Sequence, residues 1–317
     1  MQREGSPWTG LAAVAAKELA DHLSSTRMVI LEILVVIAAI GAAYTAGEQL
    51  KATVAESSFA FLALFTTAQA PLPSFVSFLT FFVPLIAIGL GFDAVNGEQN
   101  RGTLSRILSQ PIYRDALLTG KLMAGMGTLA MVLVALWLLI TGLGILFLGL
   151  PPSAEAVARG LWFLVATLFY GGVWLAAAMF FSIVFRQATT SAMASLGLWL
   201  LLVVLWPLAS QFLAQALEPI RYGLPQEQLA QLNLAHALAR LSPNTLYGET
   251  VTALLNPSVR TLGPVFMAQL EGAIPGSPLP LAQSLLVIWP QLVSLIAATV
   301  LLFALGYLVF QRREIRA

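Results

Sequence analysis

The chain has no cysteine in its 317 residues. Disulfide bonds, thiolate metal sites and cysteine nucleophiles are therefore excluded. Charge is scarce as well: Asp, Glu, Lys and Arg make up 10% of the residues, where a soluble domain carries roughly a quarter. Histidine occurs twice and the formal net charge is +1, so there is no basic excess to suit nucleic acid, and no nucleic-acid partner is expected. A phosphate-binding loop is missing too. The stretch "TGKLMAG", Thr119 to Gly125, has a Gly-Lys pair but neither the earlier glycine nor the following hydroxyl that such a loop needs. There is no internal repeat, no low-complexity tract and no GxxxG inside an apolar run, so helix pairing by that motif has no support.

What remains is apolar. Hydrophobic residues make up 58% of the chain and the mean hydropathy is +0.85, the composition of a membrane protein. A hydrocarbon layer about 30 Å thick takes roughly 20 residues of helix. Six runs meet that length: residues 28 to 47, 74 to 92, 116 to 150, 161 to 185, 189 to 211 and 284 to 310. Backbone in lipid must satisfy its own hydrogen bonds, and the ten-residue alternation of a barrel is absent, so the fold expected is an all-α integral membrane protein with six transmembrane helices.

Basic residues beside the runs set the orientation. With the N-terminus inside, Arg3, Lys17, Arg27, Arg101, Arg106, Arg114, Lys121, Arg186, Arg312, Arg313 and Arg316 fall on the cytoplasmic side, against Lys51, Arg159, Arg221, Arg240 and Arg260 outside. Both termini are expected in the cytoplasm, in a multi-pass protein of the cytoplasmic (inner) membrane. The first residues lack a continuous apolar stretch, so no cleaved signal peptide is expected. Within residues 1 to 27, a helical wheel over 11 to 23 gathers Ala12, Ala15, Ala16, Leu19 and Leu23 opposite Lys17, Glu18 and Asp21. That pattern suits an interfacial helix in the headgroup plane in contact with membrane lipids, with Trp8 as an anchor. The longest polar segment, residues 212 to 283, is expected outside, as a helical extracytoplasmic cap. There Pro225 opens a helix along which Leu234, Leu238 and Leu241 follow i, i+4, i+7 spacing up to Pro243.

The most informative stretch is "FDAVNGEQNRGTLSRILSQP", Phe92 to Pro111, within the charged cytoplasmic segment 93 to 115. Gly97 and Gly102 permit tight backbone turns, and Pro111 ends any helix. Over residues 101 to 109, helical geometry puts Leu104, Ile107 and Leu108 in one wedge opposite Arg106. A small amphipathic cytoplasmic helix of this kind requires a partner groove. Pro84, with Gly89 and Gly91, interrupts the second run just before this segment, so Pro84, Gly97 and Pro111 are the candidate hinge positions.

The run "GFDAVNGEQNRGTLSRILSQPIYRDALLTGKLMAG" resembles the cytoplasmic loop of ABC-2 type transporter permeases. The opening "AAKELADHLSSTRMVILEIL" is similar to that family's N-terminal helix leading into the first span, and "LSPNTLYGETVTALLNPSVRTLGP" and "FQRREIRA" resemble outer and terminal segments of some of its members. The resemblance implies the transmembrane subunit of an ATP-driven exporter that acts as a dimer, with a second copy or a homologue. It implies a coupling helix between spans 2 and 3 docked on a separate ATPase (nucleotide-binding) subunit, with Glu98, Arg101, Gly102, Thr103 and Leu104 as contact or hinge residues. ATP and magnesium would then be bound by that partner, with no cofactor in this chain and no catalytic residue of its own.

Two other classes stand beside this one. Glu32 is the only acid inside an apolar run and lies about one turn from Arg27. An intramembrane ionisable residue is a functional candidate, here for a carrier or channel driven by an ion gradient. Snorkelling or pairing with Arg27 is the alternative role. An intramembrane enzyme would need an acid/base set in mutual reach, and Asp93, Glu98 and Asp115 share the inner face with no histidine or ligand spacing to join them. His22 and His236 are expected on opposite sides of the membrane and cannot share a metal. Spans without internal charge suit an amphiphilic or hydrophobic cargo such as a lipid, drug or peptide.

Overall fold

The computed structural model describes residues 10–50, 59–70, 72–103, 113–149, 151–264 and 278–312. Its described residues are almost wholly helical: α1 (Leu11–Leu23), α2 (Thr26–Leu50), α3 (Ala60–Thr66), α4 (Phe75–Gly91), α5 (Asn96–Asn100), α6 (Arg114–Leu148), α7 (Ala154–Val184), α8 (Ala188–Leu200), α9 (Trp206–Leu217), α10 (Pro225–Ala239), α11 (Pro243–Leu255) and α12 (Leu281–Arg312). Among the described residues six helical stretches are long and apolar enough to cross a membrane: α2, α4 with its extension through α5, α6, α7, α8 with α9, and α12. The helices overrun the apolar runs at most ends. The fourth span starts seven residues earlier than hydropathy alone marks, because Ser153 accepts a hydrogen bond from the Ala156 N–H (3.1 Å) and Glu155 occupies the first turn. Both are favourable at a helix N-terminus.

α7 is the hub. Of its most apolar window 72% is buried, against 11% for the α8–α9 span at the periphery. It packs against α12, α4, α6 and α11. Close approach to α4 depends on Gly91, where an added Cβ would lie 2.9 Å from both the Ala178 Cβ and the Leu175 carbonyl. α3 folds back on the bundle through Phe65, whose ring meets Phe75 and Phe163 edge-on. Contacts with α6 and α12 place the described ends of the chain, Gly10 and Arg312, at one end of the bundle, here the termini end.

Two prolines show how lost backbone hydrogen bonds are replaced. α4 runs unbroken through buried Pro84. The carbonyl freed by that proline, on Thr80, accepts from the Tyr170 hydroxyl of α7 at 2.9 Å. Before Pro207 the helix widens into a π turn over Leu201–Leu205, and the Leu202 carbonyl accepts from the Ser242 hydroxyl at 2.7 Å.

The segment after α9 doubles back on the spans. α10 returns along α9, with Gln231 Nε2 donating to the Glu218 carbonyl at one end and Trp206 Nε1 to the Leu238 carbonyl at the other. After the turn at Arg240 to Ser242, α11 packs between α7 and α12. Tyr247 of α11 stacks on Tyr170 with ring centroids 4.3 Å apart. Pro225 opens α10 as its place in the sequence implies, while Pro243 starts α11. Arg159, one of the charges assigned to the outer side, is a fully buried member of α7.

Candidate coupling site

At the termini end, α5 is held from three directions. The Ser182 hydroxyl of α7 accepts from the N–H groups of Val95 (2.9 Å) and Asn96 (3.2 Å), donors that a helix start leaves without partners inside the helix. Buried Asn96 donates through Nδ2 to the Phe185 carbonyl (3.3 Å), and Asn100 likewise to Arg186 (3.1 Å). The second tie is Glu98, whose Oε1 lies 2.9 Å from Lys121 Nζ on α6. The third passes through the same ammonium, which is also 3.0 Å from Glu18 Oε1 on α1.

Lys121 is thus a buried cation, its side chain 3% exposed, shared by carboxylates from two other elements. Lys17 completes the cluster from the rim, 2.8 Å from Glu18 and 3.0 Å from Asp21. Next to it Arg27 pairs with Asp93 at 2.9 Å and lies over the Phe92 ring. Burial alone would raise the Glu18 carboxyl, but Lys121 and Lys17 prevail and hold it below its ordinary value. Burial likewise disfavours the Lys17 ammonium, yet its bonds to Glu18 and Asp21 prevail and raise it. These groups line a cleft of about 590 Å³ that carries four cationic side chains, Lys17, Arg27, Arg101 and Lys121, and four carboxylates, Glu18, Asp21, Asp93 and Glu98. Opposite charges match in number.

α1 turns a face to α6 that a two-sided wheel does not isolate. Leu11, Val14, Glu18 and His22 follow along α6. An added Cβ at Gly120 would sit 2.9 Å from Val14 Cγ1, and His22 Nδ1 lies 3.3 Å from Thr128 Oγ1. Ala12, Ala16 and Leu23 stay exposed. Farther along, Tyr307 donates to Asp115 Oδ1 (2.9 Å) and Gln311 also bonds that carboxylate, joining the last span to the start of α6.

Of the residues singled out in the sequence, Glu98 faces inward to Lys121, whereas Arg101 and Gly102 are exposed. Gly102 has a φ of 67°, left-handed backbone where glycine is favoured. Thr103 Oγ1 bonds the Glu98 carbonyl at 3.2 Å. Gly97 lies inside α5, Pro84 inside α4, and Leu104, Ile107, Leu108 and Pro111 fall outside the described residues. Glu32 is half-buried on α2, lacks a hydrogen-bond or ion-pair partner among the described residues, and is not part of the cleft. The residues that sequence reasoning passed over are Lys121 and Glu18. A tally of flanking charges includes Lys121, although a lone lysine between "ALLTG" and "LMAGMG" carries the signal of an intramembrane cation.

Removing the Ser182 hydroxyl is a direct test of the first anchor. Ser182→Ala leaves the Val95 and Asn96 N–H groups without an acceptor in a buried setting, a loss of about 1–3 kcal/mol. Faster amide hydrogen exchange confined to residues 93 to 103 is the expected result. Unchanged exchange there would show that the Asn96 and Asn100 bonds to the end of α7 and the Lys121 tie hold α5 without the Ser182 hydroxyl.

The chain matches the family model described as ABC-2 family transporter protein over residues 12–315. It is similar to the probable ABC transporter permease protein NosY of Pseudomonas aeruginosa, 32% identical over 204 residues that cover 64% of this chain and 68% of that protein. It is also similar to the protein of the same name in Stutzerimonas stutzeri, 32% identical over 204 residues covering 62% of this chain and 67% of the relative.

Proposed function

Because the chain belongs to the ABC-2 family of transporter proteins, we propose that it is the permease subunit of an ATP-driven exporter for an amphiphilic or hydrophobic substrate, with α5 and the segment after it as the docking lever. An ABC permease works with an ATP-binding partner. In this reading the termini end faces the cytoplasm of an inner-membrane protein, and the partner ATPase, holding ATP and magnesium, docks on Arg101 to Leu108. A second copy or a homologue completes the path. The observation that carries the proposal is the three-way anchoring of α5. A push on the exposed residues beyond Asn100 moves Glu98, and with it Lys121 of α6, Glu18 of α1 and, through Ser182, the end of α7. Coupling of this kind needs a rigid element whose displacement both ends feel.

The test is to purify the chain from its native membrane with its bound ATPase, reconstitute the pair and follow ATP-driven movement of labelled amphiphiles. Leu104→Asp, which charges the apolar wedge, is expected to lower transport at least about tenfold, equal to about 1.4 kcal/mol in the effective barrier, with insertion unchanged. Full transport by that variant would remove the docking assignment. Movement of simple cations with no movement of amphiphiles would remove the substrate class.

A further inference from the structure

We infer that α1 is an acid-released latch, in which neutral His22 holds α1 against α6 through Thr128 and its protonation frees the helix. The hydrogen bond identifies the tautomer. The Thr128 hydroxyl has a single proton and donates it to the Ala124 carbonyl at 2.9 Å. Its oxygen must therefore accept from His22, which places the imidazole proton on Nδ1 and leaves Nε2 as the site for a second proton.

The surroundings decide what that proton does. His22 lines the cleft together with Lys17, Glu18 and Asp21 of its own helix, Lys121 of α6, Arg27 of α2, and Asp93, Glu98 and Arg101 beyond the end of α4. An imidazolium there competes with Lys121 and Lys17 for Glu18, four residues back on α1, and adds a third cation beside a carboxylate that both ammonium groups already share. Moving α1 away from α6 relieves both conflicts by returning His22 to solvent. Burial pushes the docked imidazole below its ordinary value of 6.5; Glu18, Asp93 and Asp21 draw it up and Lys121 pushes it further down, with burial prevailing. A group lowered in this way favours the docked helix fully above pH 6.5, and that preference is lost as pH falls through the docked value, by up to about tenfold per pH unit. Glu18, held below 4.5, keeps its contribution until stronger acid. The onset below pH 6.5 therefore belongs to His22. Because Lys121 also carries Glu98, release of α1 loosens one of the three anchors of the docking lever.

The chain has no cysteine, so Ala13→Cys on the exposed side of α1 and Met123→Cys, at a position 52% exposed on α6, give two unique spin-label sites in the full-length protein. Pulsed electron resonance in lipid nanodiscs needs no ATPase, which keeps the result independent of the proposed transport role. At about pH 7.5 one short distance is expected, and at about pH 5.5 a longer, broader population is expected to grow beside it, by up to about tenfold. In a His22→Asn background, whose amide can donate to Thr128 but does not titrate, the short distance is expected at both. An unchanged distance in the parent protein, or equal release in His22→Asn, would overturn the latch. Should His22→Asn fail to insert, Thr128→Val keeps His22 and removes its acceptor. Release is then expected to begin at a higher pH, and an unmoved midpoint would also overturn it.

Discussion

Lys121→Met is expected to destabilise the protein by about 3–5 kcal/mol, the usual loss when one partner of a buried ion pair is removed. The ammonium is 3% exposed and sits between Glu98 and Glu18 at 2.9 and 3.0 Å. Without it two carboxylates face each other across a buried space, with Lys17 at the rim as the nearest remaining cation. Thermal unfolding in one detergent, compared with the parent chain, measures the loss. Adding Glu18→Gln and Glu98→Gln removes the repulsion, and neutral replacement of a buried ionic cluster is often tolerated. The triple variant should therefore recover most of the stability. ATP-driven transport should stay low in it, because the charge link from α5 to α1 and α6 is still missing. A triple variant with full stability and full transport would reduce Lys121 to a packing residue.

Arg159→Met should release α11 from the bundle. The guanidinium is completely buried and donates to Glu155 Oε1 from Nε (3.0 Å) and Nη2 (2.9 Å), to the Leu254 carbonyl (2.9 Å), to the Ser284 hydroxyl (3.2 Å) and to the Leu279 carbonyl. One side chain thus fastens the start of α7 to the end of α11 and the start of α12. Glu155, whose side chain is 41% exposed, then turns to water, but three acceptors lose their donor, a change of about 3–5 kcal/mol at about 1–3 kcal/mol each, or at least a hundredfold in local opening. Hydrogen exchange is expected to rise by that factor over residues 243 to 255 while α6 keeps its protection. Arg159→Lys should rescue only part, since three donors on one nitrogen cannot reach all four partners that the five donors of the planar fork reach. Full protection in the lysine variant would mean that charge, and not the fork, holds the segment.

The six spans could be read from the sequence because their cause is local. A run of apolar residues long enough for the hydrocarbon layer forms helix whatever its neighbours, and Ser153 or Pro225 marks a helix start through contacts within a turn or two. The family could be read for a related reason, the continuous stretch from Gly97 to Pro111. Depth and partners could not. A basic residue at the end of an apolar run is counted for the side it marks, and that count is the same whether its head meets water or, like Lys121 and Arg159, is enclosed by oxygens brought in from distant parts of the chain. Glu18 reads as part of a polar face until α6 approaches with Lys121, 103 positions further along the chain. Pro84 reads as a break until Tyr170 supplies a hydroxyl to the carbonyl the proline left free. Run length and composition specify which segments form helices long enough to cross a membrane. Only the packing of those helices decided which charges and broken hydrogen bonds were enclosed together, because burial is a property of what lies across the interface and the chain order does not record it.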